Sequence, residues 1–180
     1  TAHNNYANLL GDLKRFDEAE THYRRALELN EDYPKAHNNY ALLLHEKLGR
    51  FDEAETHYRR ALELKEDYPE AKANLGFLYL KLGKAEDAIS WMLNSLQLRK
   101  SLPDEGQTIL GNLSILILMI AQSKAPTKTK QAFIGTLKQS LKNILDEKAY
   151  KAFIDQAVRQ LEELEHKTRT LNKLVKFLQK

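Results

Sequence analysis

FDEAETHYRRALELNEDYP, from Phe16 to Pro34, returns as FDEAETHYRRALELKEDYP from Phe51 to Pro69, and the two differ only in Asn30 against Lys65. Self-similarity at a period of about 35 residues, in segments with helical spacing, is the signature of a solenoid built from repeated helix pairs. The spacing predicts units at about 1–33, 34–68 and 69–102, each made of two helices and a short turn. In the second unit Tyr40, Ala41 and Leu44 form one apolar stripe, and Ala54, Tyr58, Ala61 and Leu62 form another. A single pair cannot bury both stripes, so neighbouring units must stack.

Turns are expected at Asp12 to Arg15, at Leu48-Gly49-Arg50 and at Leu82-Gly83-Lys84, with glycine supplying a left-handed helix end. Asp17 and Asp52 are expected to open the second helices, with Glu20 and Glu55 at the capping-box distance. Tyr33-Pro34 and Tyr68-Pro69 mark unit boundaries, because a residue before proline is pushed out of helical geometry while proline suits a first turn. The second unit carries one extra residue near Lys47-Leu48.

These residues resemble the tetratricopeptide repeat family. The family sets a large residue before a small one in each first helix, followed by another large residue three further on. Tyr6-Ala7 with Leu10, Tyr40-Ala41 with Leu44, and Leu75-Gly76 with Tyr79 match it. In the second helix Ala19, Tyr23 and Ala26 recur as Ala54, Tyr58 and Ala61, whereas the third unit departs with Ala88, Met92 and Ser95. The resemblance covers residues 1–103. It implies an all-α fold, an α-solenoid of three tetratricopeptide-like helix pairs followed by a C-terminal helical cap or bundle.

The resemblance also implies a function: a protein-interaction scaffold whose first helices line a concave groove that takes a protein or peptide ligand. It directs attention to Asn4, Asn8, Asn38, Leu42, His45, Ala73, Phe77 and Lys81. Asn5, Asn39 and Asn74 recur at one repeat place, where an amide suits either a ligand's backbone or a neighbouring helix. One version of the groove clamps acidic chaperone tails with Lys, Arg and Asn. Asn8 and Asn39 match that set, while Asn4, Glu70 and Asn74 stand where the clamp has basic side chains.

Beyond Pro103 the repeat dissolves, and residues 104–180 read as a separate helical region. Asp104 is expected to cap an apolar helix to about Ser123, and residues 124–130 to form a loop. A helix over about 130–145 then carries Phe133, Leu137, Leu141 and Leu145 on one face. The last helix begins near Asp146, with a heptad-like stripe of Tyr150, Ile154, Ala157, Leu161, Leu164, Thr168, Leu171, Val175 and Leu178. Phe153, Val158, Leu174 and Phe177 widen that stripe, which favours a bundle closing the solenoid over self-association, and Thr168-Arg169-Thr170 marks a candidate break.

The net charge of +3 divides unevenly. Residues 1–103 hold 15 Lys and Arg against 17 Asp and Glu, and residues 104–180 hold 13 against 8. This basic excess is too diffuse for a nucleic-acid footprint. The longest apolar run, Leu113 to Ala121, falls short of the roughly 20 residues a spanning helix needs. The absence of cysteine is compatible with a reducing compartment, and a cytoplasmic setting is expected. The opening at Thr1, directly in repeat sequence, suggests a piece of something longer.

Candidate chemistry is sparse. His45-Glu46 lacks the second histidine of a zinc-protease motif, since Gly49 stands four residues after His45. His22, His57 and Trp91 occupy one repeat place and read as packing residues. No serine elbow, phosphate loop or acid–base constellation is present, so no enzyme activity, cofactor or metal is expected. Homo-oligomerisation through stacked solenoids or the C-terminal helices is the alternative to a groove ligand.

Overall fold

The apolar stripes become six successive helices: α1 (Ala2–Asp12), α2 (Phe16–Leu29), α3 (Pro34–Leu43), α4 (Phe51–Leu64), α5 (Pro69–Lys81) and α6 (Ala85–Gln97). Two more follow, α7 (Thr127–Ile144) and α8 (Glu147–Glu162). The computed structural model describes residues 1–98, 126–162 and 175–179, together with Leu110, Leu113 and Ile117. Among these residues there is no strand. The chain divides into two compact units, Thr1–Trp91 and Met92–Lys180. The expected boundary at 103/104 lies outside the described residues.

In the first unit, Ala7, Ala19, Ala41 and Ala54 have no exposed surface, and Tyr23, Tyr40 and Tyr58 are buried beside them. Small side chains let backbones approach, and the tyrosine rings fill the space between helices. Pro34 and Pro69 begin α3 and α5, while Tyr33 (ψ 89°) and Tyr68 (ψ 84°) take the extended geometry that a following proline imposes.

The polar pattern differs from the expected capping box. The N-cap residues are Arg15 and Arg50, with no side-chain cap bond, and Asp17 and Asp52 lie inside the first turn. There they face the positive end of the helix dipole. Arg15 pairs instead with Glu18 at 2.6 Å and Arg50 Nε with Glu53 at 2.6 Å. Glu20 and Glu55 serve the next repeat. Tyr40 donates to Glu20 at 2.8 Å and Tyr79 to Glu55 at 2.7 Å. Arg24 and Arg59 bond the same tyrosine hydroxyls at 3.1 Å and 2.6 Å, and Arg50 reaches back to Glu20 at 2.7 Å.

The extra residue of the second unit is absorbed as a π-helical turn over Leu44–Leu48. The turn closures show its effect: Arg15 N–H bonds Leu10 O and Lys84 N–H bonds Tyr79 O, each five residues back, whereas Arg50 N–H bonds Leu44 O, six back. A wider helical turn takes up one residue without moving the buried stripe. All three closures need a left-handed residue, which is Gly49 (φ 67°), Gly83 (φ 72°) and, in the first unit, Lys14 (φ 60°). The glycine expected at every turn is therefore missing at the first.

In the second unit, Asp146 caps α8 by accepting from Ala149 N–H at 2.7 Å. Helix α7 begins at Thr127, so residues 127–130, expected in a loop, are helical instead, and it buries Ile134, Leu137 and Leu141. Phe153, Ile154, Ala157 and Val158 are buried on α8, a face wider than a two-residue seam. Lys138 Nζ donates to the carbonyls of Phe177 and Leu178 at 3.1 Å and 2.8 Å, tying residues 175–179 to α7. The helix expected from Asp104 is described only at the buried residues Leu110, Leu113 and Ile117. Its cap, the side chains of Phe133 and Leu161, the heptad positions Leu164, Thr168 and Leu171, the flanking Leu174 and the break at Thr168 lie outside the described residues.

Two stability outcomes are expected. Ala54→Leu should destabilise by about 1 to 3 kcal/mol because no space surrounds Ala54, whereas Glu53→Ala, which removes an exposed ion pair, should cost under about 1 kcal/mol. Lys14→Gly should stabilise by about 1 kcal/mol by removing a left-handed side-chain clash. Denaturant unfolding of the three variants checks both.

Candidate functional site

The first helices carry a continuous chain of amides. Asn74 Nδ2 donates to Asn38 at 3.1 Å, Asn38 to Asn39 at 3.3 Å, Asn39 to Asn4 at 3.2 Å, and Asn4 to Asn5 at 3.2 Å. The chain thus runs from α5 through α3 to α1. It exists because asparagine returns at the same place in successive first helices, and each amide has both a donor and an acceptor end. Asn4 and Asn38 are buried within it, Asn39 and Asn74 are half-buried, and Asn5 is exposed.

Beside this chain lies an open cleft of about 480 Å³. Asn8, Gly11 and Asp12 contribute from α1, Tyr23 from α2, Asn39, Leu42 and Leu43 from α3, and Glu46 and Lys47 from the π turn. Asn8 is fixed at the cleft by two donors to its Oδ1, the Tyr23 hydroxyl at 2.5 Å and Asn39 Nδ2 at 3.2 Å. Burial, reinforced by the charge of Asp12, pushes the Tyr23 hydroxyl up to about 12, so it remains a donor. Flipping the Asn8 amide would set its Nδ2 against the Nδ2 of Asn39, which can only donate. The Asn8 amide protons therefore stay on the other side, with no acceptor among the described residues. Leu42, 40% exposed, supplies apolar surface.

Of the residues singled out in the sequence, the cleft gathers Asn8, Asn39 and Leu42. His45 is buried: its Nε2 makes no hydrogen bond among the described residues, although Glu46 Oε1 lies 3.3 Å away, and its Nδ1 lies 3.5 Å from the Tyr58 hydroxyl. Burial lowers its pKa, so the ring is neutral near pH 7. Ala73 is buried in α5 and Phe77 is half-buried there. Lys81 pairs with Glu46 at 3.1 Å and so holds one wall of the cleft. Gly11, Asp12, Tyr23, Leu43, Glu46 and Lys47 were not among the groove residues expected from the sequence. Only the extra residue near Lys47 pointed toward them, because a π turn swings Glu46 and Lys47 to the cleft.

His22 and His57 each face a first-helix histidine: His3 Nδ1 lies 2.8 Å from His22 Nδ1, and His37 Nδ1 lies 2.9 Å from His57 Nδ1. His37 Nε2–H donates to the Glu31 carbonyl at 2.8 Å, which makes Nδ1 of neutral His37 an acceptor and His57 Nδ1–H the donor. Burial, helped by His37, lowers the His57 pKa to about 4. Trp91 is half-buried. Among the described residues no group of three or more His, Asp or Glu is placed to hold a metal ion. No helix among them is long and apolar enough to cross a membrane.

Two family models described as tetratricopeptide repeat match the sequence, one over residues 1–67 and one over residues 45–97. The chain belongs to the tetratricopeptide repeat family. No curated protein matches it. Similar solved structures include the first repeat domain of Spaghetti (RPAP3) bound to the HSP90 peptide SRMEEVD, at 22% identity and a TM-score of 0.53, covering 63% of this chain and 91% of that one. The second repeat domain of human RPAP3, in complex with the HSP70 peptide SGPTIEEVD, is 21% identical with a TM-score of 0.56 and the same coverage. The Yersinia enterocolitica type III secretion chaperone SycD, in complex with a peptide of the translocator YopD, is 13% identical with a TM-score of 0.60, covering 66% and 92%. At these identities the likeness is one of fold, an all-α helical-repeat solenoid, and the tetratricopeptide family is a protein-interaction fold.

The histidines give a pH dependence. Because the folded-state pKa of His57 is depressed, its unfolded form binds more protons between about 4 and about 6.5, so stability is full above that window and falls as pH drops through it. The unfolding midpoint should fall by several degrees from about pH 7 to about pH 5, and His57→Leu should flatten the slope in thermal melts.

Proposed function

We propose that this tetratricopeptide array is a non-catalytic scaffold that binds a peptide segment of a protein partner in the cleft over Asn8, Asn39 and Leu42. The observation that carries the reading is the Asn8 amide, oriented by Tyr23 and Asn39 so that its protons are left for an acceptor. A backbone carbonyl of an extended or helical segment is such an acceptor, and Leu42 offers the apolar contact that gives a peptide residence time. The cleft volume suits a few ligand side chains.

Charge separates this cleft from the peptides named for the similar structures. Asp12 and Glu46 carry carboxylates at its edge against the single cation Lys47 of the lining, and Lys81, opposite Glu46, is already paired. Where a clamp for acidic tails needs cations, Asn4 is fully buried, Asn74 is bonded to Asn38 and Glu70 is an exposed acid. A neutral or basic segment with an apolar anchor fits better than an acidic tail. Arg24 and Arg59 hold tyrosines of the following repeat, so Arg25, which among the described residues pairs with Glu28 alone, is the appropriate control position.

The test is selection of a displayed peptide library on the full chain, followed by binding to Asn8→Asp with Leu42→Ala and to Arg25→Ala. The carboxylate introduced by Asn8→Asp would still accept from Tyr23 and Asn39 while presenting an oxygen where the amide donated, so the double variant should fold and bind at least about tenfold more weakly. Arg25→Ala should bind normally. Peptides that bind all three proteins equally would remove the cleft from the function.

A further inference from the structure

One repeat place is filled by the chain itself in two repeats and left empty in the first. Gly11, His45 and Leu80 each follow the large residue, Leu10, Leu44 or Tyr79, that ends the first-helix pattern. His45 is 2% exposed and Leu80 is 9% exposed, so the second and third repeats close this place with buried side chains. The His45 ring stands edge-on to the rings of Phe51 and Tyr58, with centroids 6.2 Å and 6.3 Å away. Phe16 and Tyr23 occupy the matching places of the first repeat. There, a Cβ at Gly11 would meet nothing within 4 Å beyond its own helix among the described residues.

Backbone geometry does not call for glycine at this position. Gly11 lies within α1 and outside the left-handed region that Gly49 and Gly83 occupy, and glycine inside a helix is less stable than alanine. What its missing side chain does is open the cleft, where it lies among Tyr23, Leu42 and Leu43. The next repeat place holds Asp12, Glu46 and Lys81. Of the three charged residues in the lining, Lys47 stands on the π turn and Glu46 is held by Lys81 at 3.1 Å. Asp12 on α1 is exposed, and its carboxylate makes no ion pair among the described residues.

We infer that Gly11 is the specificity-determining residue of the cleft: its empty place seats a large apolar side chain of the bound segment, and Asp12 receives a lysine or arginine beside that anchor. The inference rests on the peptide-binding reading above and adds the chemistry of the occupant. The ligand's anchor would stand where His45 and Leu80 stand in their own repeats, desolvated against Tyr23, Leu42 and Leu43. Charge complementarity at Asp12 then fixes which way the segment lies. Asn8, three residues before Gly11 on the same face of α1, is placed to donate to a backbone carbonyl of that segment.

The probes are peptides selected from a displayed random library on the full chain, resynthesised with the apolar anchor as Leu, Phe or Ala and the neighbouring cation as Arg or Gln. The parent should prefer a Leu or Phe anchor over Ala by at least about tenfold. Gly11→Leu should bind the selected peptides at least about tenfold more weakly and lose the preference for a large anchor, because its own side chain fills the place. It should melt no lower than the parent, since no other helix crowds Gly11, and Gly11→Ala, adding a single carbon, should show a smaller loss in the same direction. Asp12→Asn should remove the preference for Arg over Gln and keep the anchor preference. Peptides that need Asn8 and Leu42 yet bind the parent and both Gly11 variants equally would overturn this inference and leave the cleft reading standing. Peptides indifferent to Asn8, Leu42 and Gly11 alike would remove both.

Discussion

Close approach of helices at alanine is the constraint on which the repeat unit depends. Ala7, Ala19, Ala41 and Ala54 carry no exposed surface, and any larger side chain at those places would separate the helices and withdraw the tyrosines from the gaps they fill. Burial of those tyrosines places their hydroxyls where water is scarce, so each needs a partner. Asn8 supplies it to Tyr23, while Glu20 and Glu55 supply it to Tyr40 and Tyr79 across the repeat boundary, where the arginines one turn on hold both groups. The small apolar residue, the buried ring and the ion pair are thus successive consequences of one packing distance.

The same logic shapes the cleft. Asparagines at matching repeat places lie close enough to bond one another, and a chain of amides with one polarity results. Asn8 stands at its edge, where Tyr23 and Asn39 saturate its oxygen but not its nitrogen. The recurring asparagines that suited either a ligand or a neighbouring helix are bonded to neighbouring helices at Asn39 and Asn74, and an open donor is found instead at Asn8. An insertion of one residue matters here as well. By widening one turn of the second repeat, it sets Glu46 and Lys47 at the cleft and leaves His45 buried, its Nε2 3.3 Å from Glu46 Oε1.

Helix identities, pair order and the buried positions of the repeat were legible in the sequence because they follow from periodic spacing of apolar and small residues, a property that each local segment carries by itself. The duplicated segment made the reading redundant, since an Ala or Tyr at one place could be checked against its copy. Reading failed where one local signal competed with another. Asp17 with Glu20 has the spacing of a capping box, yet Tyr40 and Arg50 from the next repeat claim the Glu20 carboxylate, and α2 begins without a side-chain cap.

What the sequence by itself determined is the class of object: an all-helical array of tetratricopeptide repeats with apolar stripes that demand neighbours. Which of its polar residues are consumed in holding repeats together, and which remain able to bond something else, was decided only in three dimensions. Hydrogen-bond capacity is shared among groups brought together from distant parts of the chain, as Asn8, Tyr23 and Asn39 are, and no spacing along the chain records how it is divided. The exposure of Tyr6 beside the burial of Tyr40 makes the same point, for the two have matching places in the repeat and differ only in what lies over them.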